Sequence, residues 1–294
     1  MDRSDEPQIT QAMIDAYDEY THLTLDRRGF MVKLTGLAGS AAAAMAILPL
    51  IEASPAHAAL TDPQDKRISS VWATFPAAGT ELKSYVVKPA RNGRFPSVLV
   101  IHENRGLNGH IEDVARRLAL EGFLAVAPDF LSSKGGTPPD EDRARQLISS
   151  LDPKQTVAEA VAARKWLAAE HHSNRRVGAV GFCWGGGLVN QLAVADPELK
   201  AAVAYYGRTP DPAGVAKIKA AMLLHYAGLD ERTNAGIPAF RKALEQAHVE
   251  HRIYVYDGAN HAFNNDTSAA RYDKAAAGLA WQRTIAFLER HLNG

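Results

Sequence analysis

Short apolar runs alternate with segments of helical spacing along most of the chain. The runs at 97–101, 123–127, 176–182, 201–206 and 221–226 are almost continuously apolar, a pattern typical of strands covered on both faces of a parallel sheet. Helical spacing predicts helices between them, at 111–120, 140–150, 155–169, 186–194 and 237–246. A further strand is predicted at 251–256 and a last helix from about 268 to 291. This order predicts an α/β fold with a doubly wound, mostly parallel sheet.

Two β-rich runs precede this pattern. Residues 68–75 and 81–88 are separated by the turn sequence Pro76-Ala77-Ala78-Gly79, which predicts an antiparallel hairpin at one edge of the sheet. No repeat or low-complexity tract interrupts the chain after residue 58. Residues 59–294 are therefore expected to form one domain.

The first 58 residues have the layout of an export signal. Paired arginines, Arg27 and Arg28, precede the uncharged apolar stretch 34–51, and the small-x-small sequence Ala56-His57-Ala58 follows it. This layout resembles a twin-arginine signal, which predicts cleavage near Ala58 and a periplasmic or secreted mature protein. A cytoplasmic protein is the alternative, with 34–51 as an uncleaved anchor or a buried apolar helix.

Composition restricts the partners. Lys plus Arg and Asp plus Glu both number 33 among 294 residues, so no broad field would attract nucleic acid or an anionic membrane to the mature form. Cys183 is the only cysteine, which excludes an intramolecular disulfide and a multi-cysteine metal site. We expect a small-molecule substrate, no metal or organic cofactor, and a monomer or small homo-oligomer.

The candidate chemistry lies around Cys183. The sequence Gly181-Phe182-Cys183-Trp184-Gly185 falls between a predicted buried strand and a predicted helix, the context of a nucleophile elbow. Side chains at the two glycines would collide with neighbouring backbone in so sharp a turn. A buried structural cysteine beside glycines that permit close helix packing is the alternative.

A base and an orienting acid follow in the chain order that such folds use. Asp230 follows the strand at 221–226 and His261 follows the next strand, at 251–256. Because loops at the carboxyl ends of parallel strands meet at one edge, both side chains can converge on Cys183. Taken singly, Asp230 would more often cap a turn and His261 would more often be a core or surface residue.

The loop after the first parallel strand supplies further candidates. Backbone amides of Trp184 and Asn104 are expected to form an oxyanion hole, and the Trp184 side chain to line the acyl pocket. Glu103 either takes the thiol proton or positions Cys183. A simple ion pair with Arg105 or Arg208 is the alternative role for Glu103.

Together these motifs resemble the dienelactone hydrolase family of cysteine-dependent α/β-hydrolases. The resemblance covers about residues 68–292 and rests on the Cys183 elbow, the Glu103 loop, Ala227-Gly228-Leu229-Asp230 and Asn260-His261-Ala262-Phe263. It implies an α/β-hydrolase fold and a triad of Cys183 as nucleophile, His261 as base and Asp230 as orienter. It also implies that Glu103 activates the thiol when substrate enters.

One position departs from the family pattern. Dienelactone-type members carry an arginine four residues after the histidine, which holds the substrate carboxylate, whereas this chain has Asn265 there. Arg143, Arg145 and Arg271 are the candidates to replace it. This departure weakens the assignment to this chain of the family's named reaction, the opening of an enol-lactone ring.

The sequence thus predicts a hydrolase of a small ester or lactone that acts through a Cys-His-Asp triad and an acyl-enzyme. Because Glu103 and a thiolate would repel each other, the resting thiol is expected to be mostly neutral. The alternative function is a non-hydrolytic binding protein or a single-cysteine thiol sensor on the same scaffold.

Overall fold

The protein was analysed as a computed structural model that describes residues 8–52 and 60–293. The predicted cleavage sequence Ala56-His57-Ala58 lies outside the described residues. Within them, three helices at the N-terminus precede an α/β unit.

One mixed sheet of eight strands organises the α/β unit. In space the strands run in the order β1-β2-β4-β3-β5-β6-β7-β8. β1 pairs with β2 and β2 with β4 in antiparallel fashion, and every other neighbouring pair is parallel. The strands are β1 (Ile68–Ala77), β2 (Thr80–Pro89), β3 (Phe95–Ile101), β4 (Leu124–Pro128), β5 (Ser173–Phe182), β6 (Ala201–Tyr205), β7 (Ala221–Ala227) and β8 (His251–Tyr256). The predicted hairpin and parallel sheet are thereby confirmed.

Besides two short 3-10 helices at Ser132–Lys134 and Pro212–Lys217, ten α-helices are present in the described residues. They are α1 (Gln11–Thr21), α2 (Arg27–Ala38), α3 (Ala41–Ile51), α4 (Gly109–Leu120), α5 (Glu141–Ser149), α6 (Pro153–Ala169), α7 (Trp184–Ala195), α8 (Glu231–Asn234), α9 (Ile237–Gln246) and α10 (Lys274–Leu292). Helix α10 begins later than the predicted residue 268. The Asp273 side chain accepts hydrogen bonds from the amides of Ala275 and Ala276 and so fixes the start of α10 as its N-cap.

Both faces of the sheet are buried, which explains why its central strands are apolar throughout. Helices α4 and α10 contribute to the core on one face, whereas α6, α7 and α9 contribute to the core on the other. All five residues of β4, all five of β6 and all seven of β7 are buried. The carboxyl ends of β3, β5, β7 and β8 carry the loops that hold the candidate site.

The apolar stretch 34–51 is divided between two helices. Gly39 adopts φ +79°, the left-handed conformation that ends a helix, and the Ser40 side chain then caps α3. The axes of α2 and α3 are bent by 110° relative to each other. Among the described residues, no single helix has the length and apolarity needed to cross a membrane. The bent α2–α3 pair meets those criteria only jointly, by length and composition.

The N-terminal helices have a small core of their own. Tyr17, Tyr20 and Phe30 are buried against one another, with the Tyr20 and Phe30 rings stacked at a centroid distance of 4.8 Å. Leu34 and Ile51 complete this core from α2 and α3. This burial agrees with the alternative in which the stretch 34–51 is a buried apolar helix. Export and cleavage of residues 1–58 stay predictions.

Candidate active site

Cys183 lies at a sharp turn between β5 and α7. Its backbone has φ 54° and ψ −115°, a conformation that residues other than glycine rarely adopt. A Cβ on Gly181 would lie 2.3 Å from the carbonyl oxygen of Gly185. A Cβ on Gly185 would lie 2.4 Å from the carbonyl oxygens of Ile101 and His102. The two flanking glycines are therefore required by backbone packing, as the elbow motif predicts.

The structure brings His261 and Asp230 together beside the sulfur. His261 Nδ1 lies 2.5 Å from Asp230 Oδ2, and both side chains are buried. Since a carboxylate can only accept, Nδ1 carries the proton and Nε2 is left for Cys183. A ring nitrogen of His261 and the sulfur of Cys183 lie within 4.8 Å of each other, and a ring nitrogen of His22 lies within the same distance of both. Asp230 also caps α8, because its Oδ1 accepts from the Thr233 amide at 3.0 Å.

The environment of Cys183 favours the thiolate. Burial alone would raise the pKa of the thiol, but the charges of His261 and His22 and the contact of His22 Nε2 with the sulfur lower that pKa to about 6. The expectation of a mostly neutral resting thiol is therefore wrong at neutral pH. That expectation considered only repulsion by Glu103 and left out the two imidazoles beside the sulfur.

Glu103 is buried, but within the described residues it makes no hydrogen bond to Cys183 and no ion pair with Arg105 or Arg208. Its Oε2 accepts from Asn265 Nδ2 at 2.7 Å and its Oε1 from the Tyr206 hydroxyl at 3.4 Å. Burial would raise the pKa of the Glu103 carboxyl, but the charges of His110, Arg105 and Arg271 hold it below its usual range.

Asn265 therefore donates a hydrogen bond to Glu103 at the position where the family pattern has an arginine that binds the substrate carboxylate. The neutral side chain of Asn265 thus has a buried carboxylate of the protein itself as its partner.

The two predicted oxyanion amides belong to the expected loops. Trp184 begins α7 directly after Cys183, and Asn104 lies in the loop after β3. Neither backbone N–H donates a hydrogen bond to another described residue. The side chain of Asn104 has a separate partner, since its Nδ2 donates to the carbonyl oxygen of Thr21 at 2.7 Å.

A cavity of about 460 Å³ lies next to Cys183. Trp184 lines it, as predicted, together with Cys183, His261 and Tyr206. Of the three arginines considered as carboxylate binders, Arg145 lines the cavity. Arg143 is exposed, and Arg271 is buried, with its guanidinium 4.9 Å from the Tyr17 ring centroid.

His22 and Asp18 are not among the residues predicted from the sequence, because residues 1–58 have the layout of a leader. His22 Nε2 lies 3.4 Å from Cys183 Sγ, and its Nδ1 lies 2.8 Å from the carbonyl oxygen of Asp18. The sequence contains one indication that this segment is part of the fold. Met13, Tyr17 and Tyr20 recur at helical spacing, which is typical of an amphipathic helix that packs against a core.

The donor atoms of His22, Cys183 and His261 would also suit a soft divalent cation, since they lie within 4.8 Å of one another. A carboxylate group lies near the second ring nitrogen of each histidine, an arrangement that serves either a metal or proton transfer. The prediction that no metal is needed is not tested by this geometry.

Comparison with known proteins identifies the family of this chain. The model of the dienelactone hydrolase family matches residues 82–292. A protein of Escherichia coli O157:H7 named "Putative carboxymethylenebutenolidase" is 34% identical over 255 residues, which span 81% of this chain and 93% of that protein. A protein of the same name from Saccharolobus solfataricus is 32% identical over 250 residues, spanning 72% of this chain and 95% of that protein.

A solved structure agrees with this assignment. The crystal structure described as "Putative Dienelactone Hydrolase" from Klebsiella pneumoniae superposes with a TM-score of 0.70 and 31% identity, covering 76% of this chain and 99% of that one. The family match spans more than half of the chain, and the sheet topology is that of an α/β-hydrolase. This chain belongs to the dienelactone hydrolase family, whose members hydrolyse ester or lactone bonds.

Proposed function

We propose that this hydrolase cleaves a small ester or lactone with Cys183 as nucleophile, His261 as base and Asp230 as the group that orients the base. The observation that carries the proposal is a thiol of lowered pKa at a strained elbow, beside a histidine whose Nδ1 is held by a buried carboxylate. A low-pKa cysteine next to an oriented imidazole is the usual arrangement for nucleophilic thiol catalysis.

In the first half of the reaction the thiolate adds to the substrate carbonyl. The C–S bond forms, the carbonyl π pair moves to oxygen, and in this proposal the amides of Trp184 and Asn104 donate hydrogen bonds to that oxyanion. The C–O bond then breaks as a neighbouring imidazolium gives its proton to the leaving oxygen. The alcohol departs, or stays attached as a chain end if the substrate is a lactone.

In the second half water releases the acid. His261 Nε2 takes one proton from water, the hydroxyl adds to the thioester carbonyl, and the C–S bond breaks to regenerate the thiolate. Acylation removes the negative sulfur that helps to raise the pKa of His261, so the imidazole loses its proton more easily at the stage where a base is required.

Glu103 is proposed to act at the same centre when substrate is bound. In the free enzyme its carboxylate is held by Asn265 and Tyr206 rather than by the sulfur. Replacement of Glu103 by a residue that cannot accept a proton should therefore alter turnover only if substrate entry changes the contacts of Glu103 with Asn265 and Tyr206. A structural role as a buried loop charge is the alternative.

The size of the substrate is suggested by the cavity, since about 460 Å³ suits a small organic ester or lactone. Arg145 is the arginine of this cavity that we propose for an acidic substrate group. Its guanidinium is already paired with two carboxylates, since Nη1 lies 3.6 Å from Glu141 Oε2 and Nη2 donates to Asp142, so an acidic substrate group would compete with them. A preference for acidic substrates is measured by comparing the rates at which p-nitrophenyl esters with and without a free carboxylate group are cleaved.

The experiment that tests the nucleophile uses the fact that the chain has one cysteine. In the full-length protein, Cys183→Ala should abolish hydrolysis of p-nitrophenyl acetate with an unchanged circular dichroism spectrum, and Cys183→Ser should retain a trace. Rapid acid quench of the wild type should give one acetyl group per chain by intact mass, removable by hydroxylamine as expected for a thioester. Full turnover by folded Cys183→Ala would refute the assignment.

A further inference from the structure

The segment after α1 lies directly on the nucleophile. His22 follows the last residue of α1, and its Nε2 is 3.4 Å from Cys183 Sγ. The rings of His22 and His261 meet edge to face, with centroids 4.6 Å apart and planes at 88°. Two imidazoles from distant parts of the sequence therefore share one sulfur.

His22 is held by a carboxylate residue, as His261 is. Its Nδ1 lies 2.8 Å from the carbonyl oxygen and 3.3 Å from Oδ1 of Asp18, and both of those atoms are acceptors. Nδ1 therefore carries a proton and Nε2 faces the sulfur. The pair His22–Asp18 resembles His261–Asp230 in placing a carboxylate beside Nδ1 of a histidine that faces the thiol, but the hydrogen bond of His22 is to the backbone carbonyl of Asp18.

Asp18 is itself fixed by the α/β unit. Its carboxylate oxygens lie 3.5 Å from Arg232 Nη2 and 3.9 Å from Arg271 Nη1. Burial would raise the pKa of Asp18, but His261, His22 and Arg271 lower it strongly, so the group is a carboxylate at neutral pH. In turn Asp18 is, after burial, the largest influence on His261 and raises its pKa.

Helix α1 is also joined to the loop that carries the predicted oxyanion amide. Asn104 Nδ2 donates to the carbonyl oxygen of Thr21 at 2.7 Å, and Arg105 Nη2 donates to the hydroxyl of the buried Tyr17 at 3.2 Å. The cavity beside Cys183 stays open to about 460 Å³, with residues 21–24 among its lining. The segment therefore forms a wall of the cavity and does not fill it.

We propose that His22 is a second catalytic histidine, in contact with the sulfur of Cys183 and oriented by Asp18, so that residues 8–52 are a resident part of the active enzyme. The inference rests on the proposed function of Cys183. It adds a residue from a part of the chain that the family match, residues 82–292, does not include.

The proposed cycle returns every proton to its starting place. The resting site holds a thiolate, and both His22 and His261 are protonated. When the thiolate has added to the ester, the proton on His22 Nε2 passes to the leaving oxygen as the C–O bond breaks. With the negative sulfur gone, His261 releases its Nε2 proton to solvent, and the neutral imidazole then accepts a proton from water as the hydroxyl adds to the thioester carbonyl. The C–S bond breaks to give the thiolate and the free acid, and the acid returns its proton to His22.

The test compares full-length His22→Gln with a matched histidine control, His171→Gln, at an exposed position. We expect His22→Gln to lower kcat on p-nitrophenyl acetate by about 10²-fold, the usual scale for a lost acid–base group, and His171→Gln to leave it unchanged. EDTA in every assay excludes a contaminating cation on the three donor atoms.

A second measurement separates a catalytic role from a structural one. The rate of Cys183 alkylation by iodoacetamide against pH reports the thiolate directly. Other charged or titratable groups around the sulfur are His261 with Asp230, Tyr206, Arg105 and, through the histidines, Asp18. We expect an inflection near pH 6 in the wild type and a higher one in His22→Gln. Asp18→Asn should move it in the same direction by less.

Four results bear on the role of His22, on the nucleophile and on the retention of residues 8–52. A folded His22→Gln enzyme with wild-type kcat and an unchanged alkylation profile would overturn the role of His22. A faster enzyme would overturn it in favour of an inhibitory contact. If Cys183→Ala retains turnover, the proposed nucleophile itself is wrong, so the two failures are distinguishable. Intact mass of the active enzyme made by its host should also show residues 8–52 retained, and an active form that begins near Ala59 would contradict the proposal.

Discussion

Replacement of Asp230 by asparagine tests the orientation of the base while preserving side-chain shape. Asp230 now accepts two N–H groups, one from His261 Nδ1 and one from the Thr233 amide. An asparagine offers one oxygen and one NH2 group in the same place. Whichever way the amide is turned, one of those two N–H donors faces another donor.

The less costly arrangement keeps the oxygen on the fixed backbone amide of Thr233. The NH2 group then faces His261 Nδ1, and the imidazole relieves that conflict by moving its proton to Nε2. A proton on Nε2 prevents neutral His261 from accepting one from water. We therefore expect kcat to fall by about 10²- to 10⁴-fold, the contribution of a general base, with a much smaller change in KM.

Stability should also fall, because a charge-assisted hydrogen bond of a buried group contributes roughly 1.5–3 kcal/mol. Urea unfolding followed by circular dichroism measures that loss, and stopped-flow release of p-nitrophenol resolves the acylation burst from steady turnover. Asp257→Asn, an exposed carboxylate in the next loop, is the matched control and should behave as wild type. A folded Asp230→Asn enzyme with kcat within twofold of wild type would show that His261 is not oriented by this carboxylate.

Three further predictions concern Glu103, pH and export. Glu103→Gln should lower kcat on the best ester by about 10²-fold with little change in KM, since the amide keeps the shape but cannot take a proton, and wild-type turnover would leave Glu103 as a structural charge. The thiolate is the reactive form and the pKa of Cys183 is about 6, so kcat/KM should fall about tenfold per pH unit below pH 6 and level off above it. An inflection of the pH–rate profile near pH 8.5 would contradict the lowered pKa. Arg27→Lys with Arg28→Lys should block export through the twin-arginine route, as measured by fractionation of the host against a Lys33→Arg control. Intact chain found only in the cytoplasm of the wild type would refute the leader prediction.

The last of these predictions and the role of His22 bear on the same residues. Arg27 forms an ion pair with Asp142 at 2.9 Å, and Asp26 caps α2 through the amide of Gly29, so the paired arginines also have positions in the folded protein. Export with the segment retained satisfies the predicted export and the role of His22, but it contradicts the predicted cleavage near Ala58. Removal of residues 1–58 from the active enzyme satisfies only the leader prediction.

The sequence alone determined the sheet, the elbow and the chain order of the three proposed triad residues. Apolar runs buried on both faces of a parallel sheet need no tertiary information to be recognised, and Gly181 and Gly185 are dictated by local backbone sterics. Asp230 and His261 could be placed because the loops after parallel strands meet at one edge of the sheet. These features depend on periodicity or on short-range geometry, which the sequence states directly.

Tertiary structure decided the partners of the charged groups and the place of the N-terminal helices. The pairing of Asn265 with Glu103 joins residues 162 positions apart, and the contact of His22 with Cys183 joins residues 161 positions apart. No local pattern specifies which of eleven histidines reaches a given sulfur. The state of the thiol follows from that placement, because the Coulomb energy of an ion pair depends on the distance between the charges and on their burial, and both are properties of the folded chain.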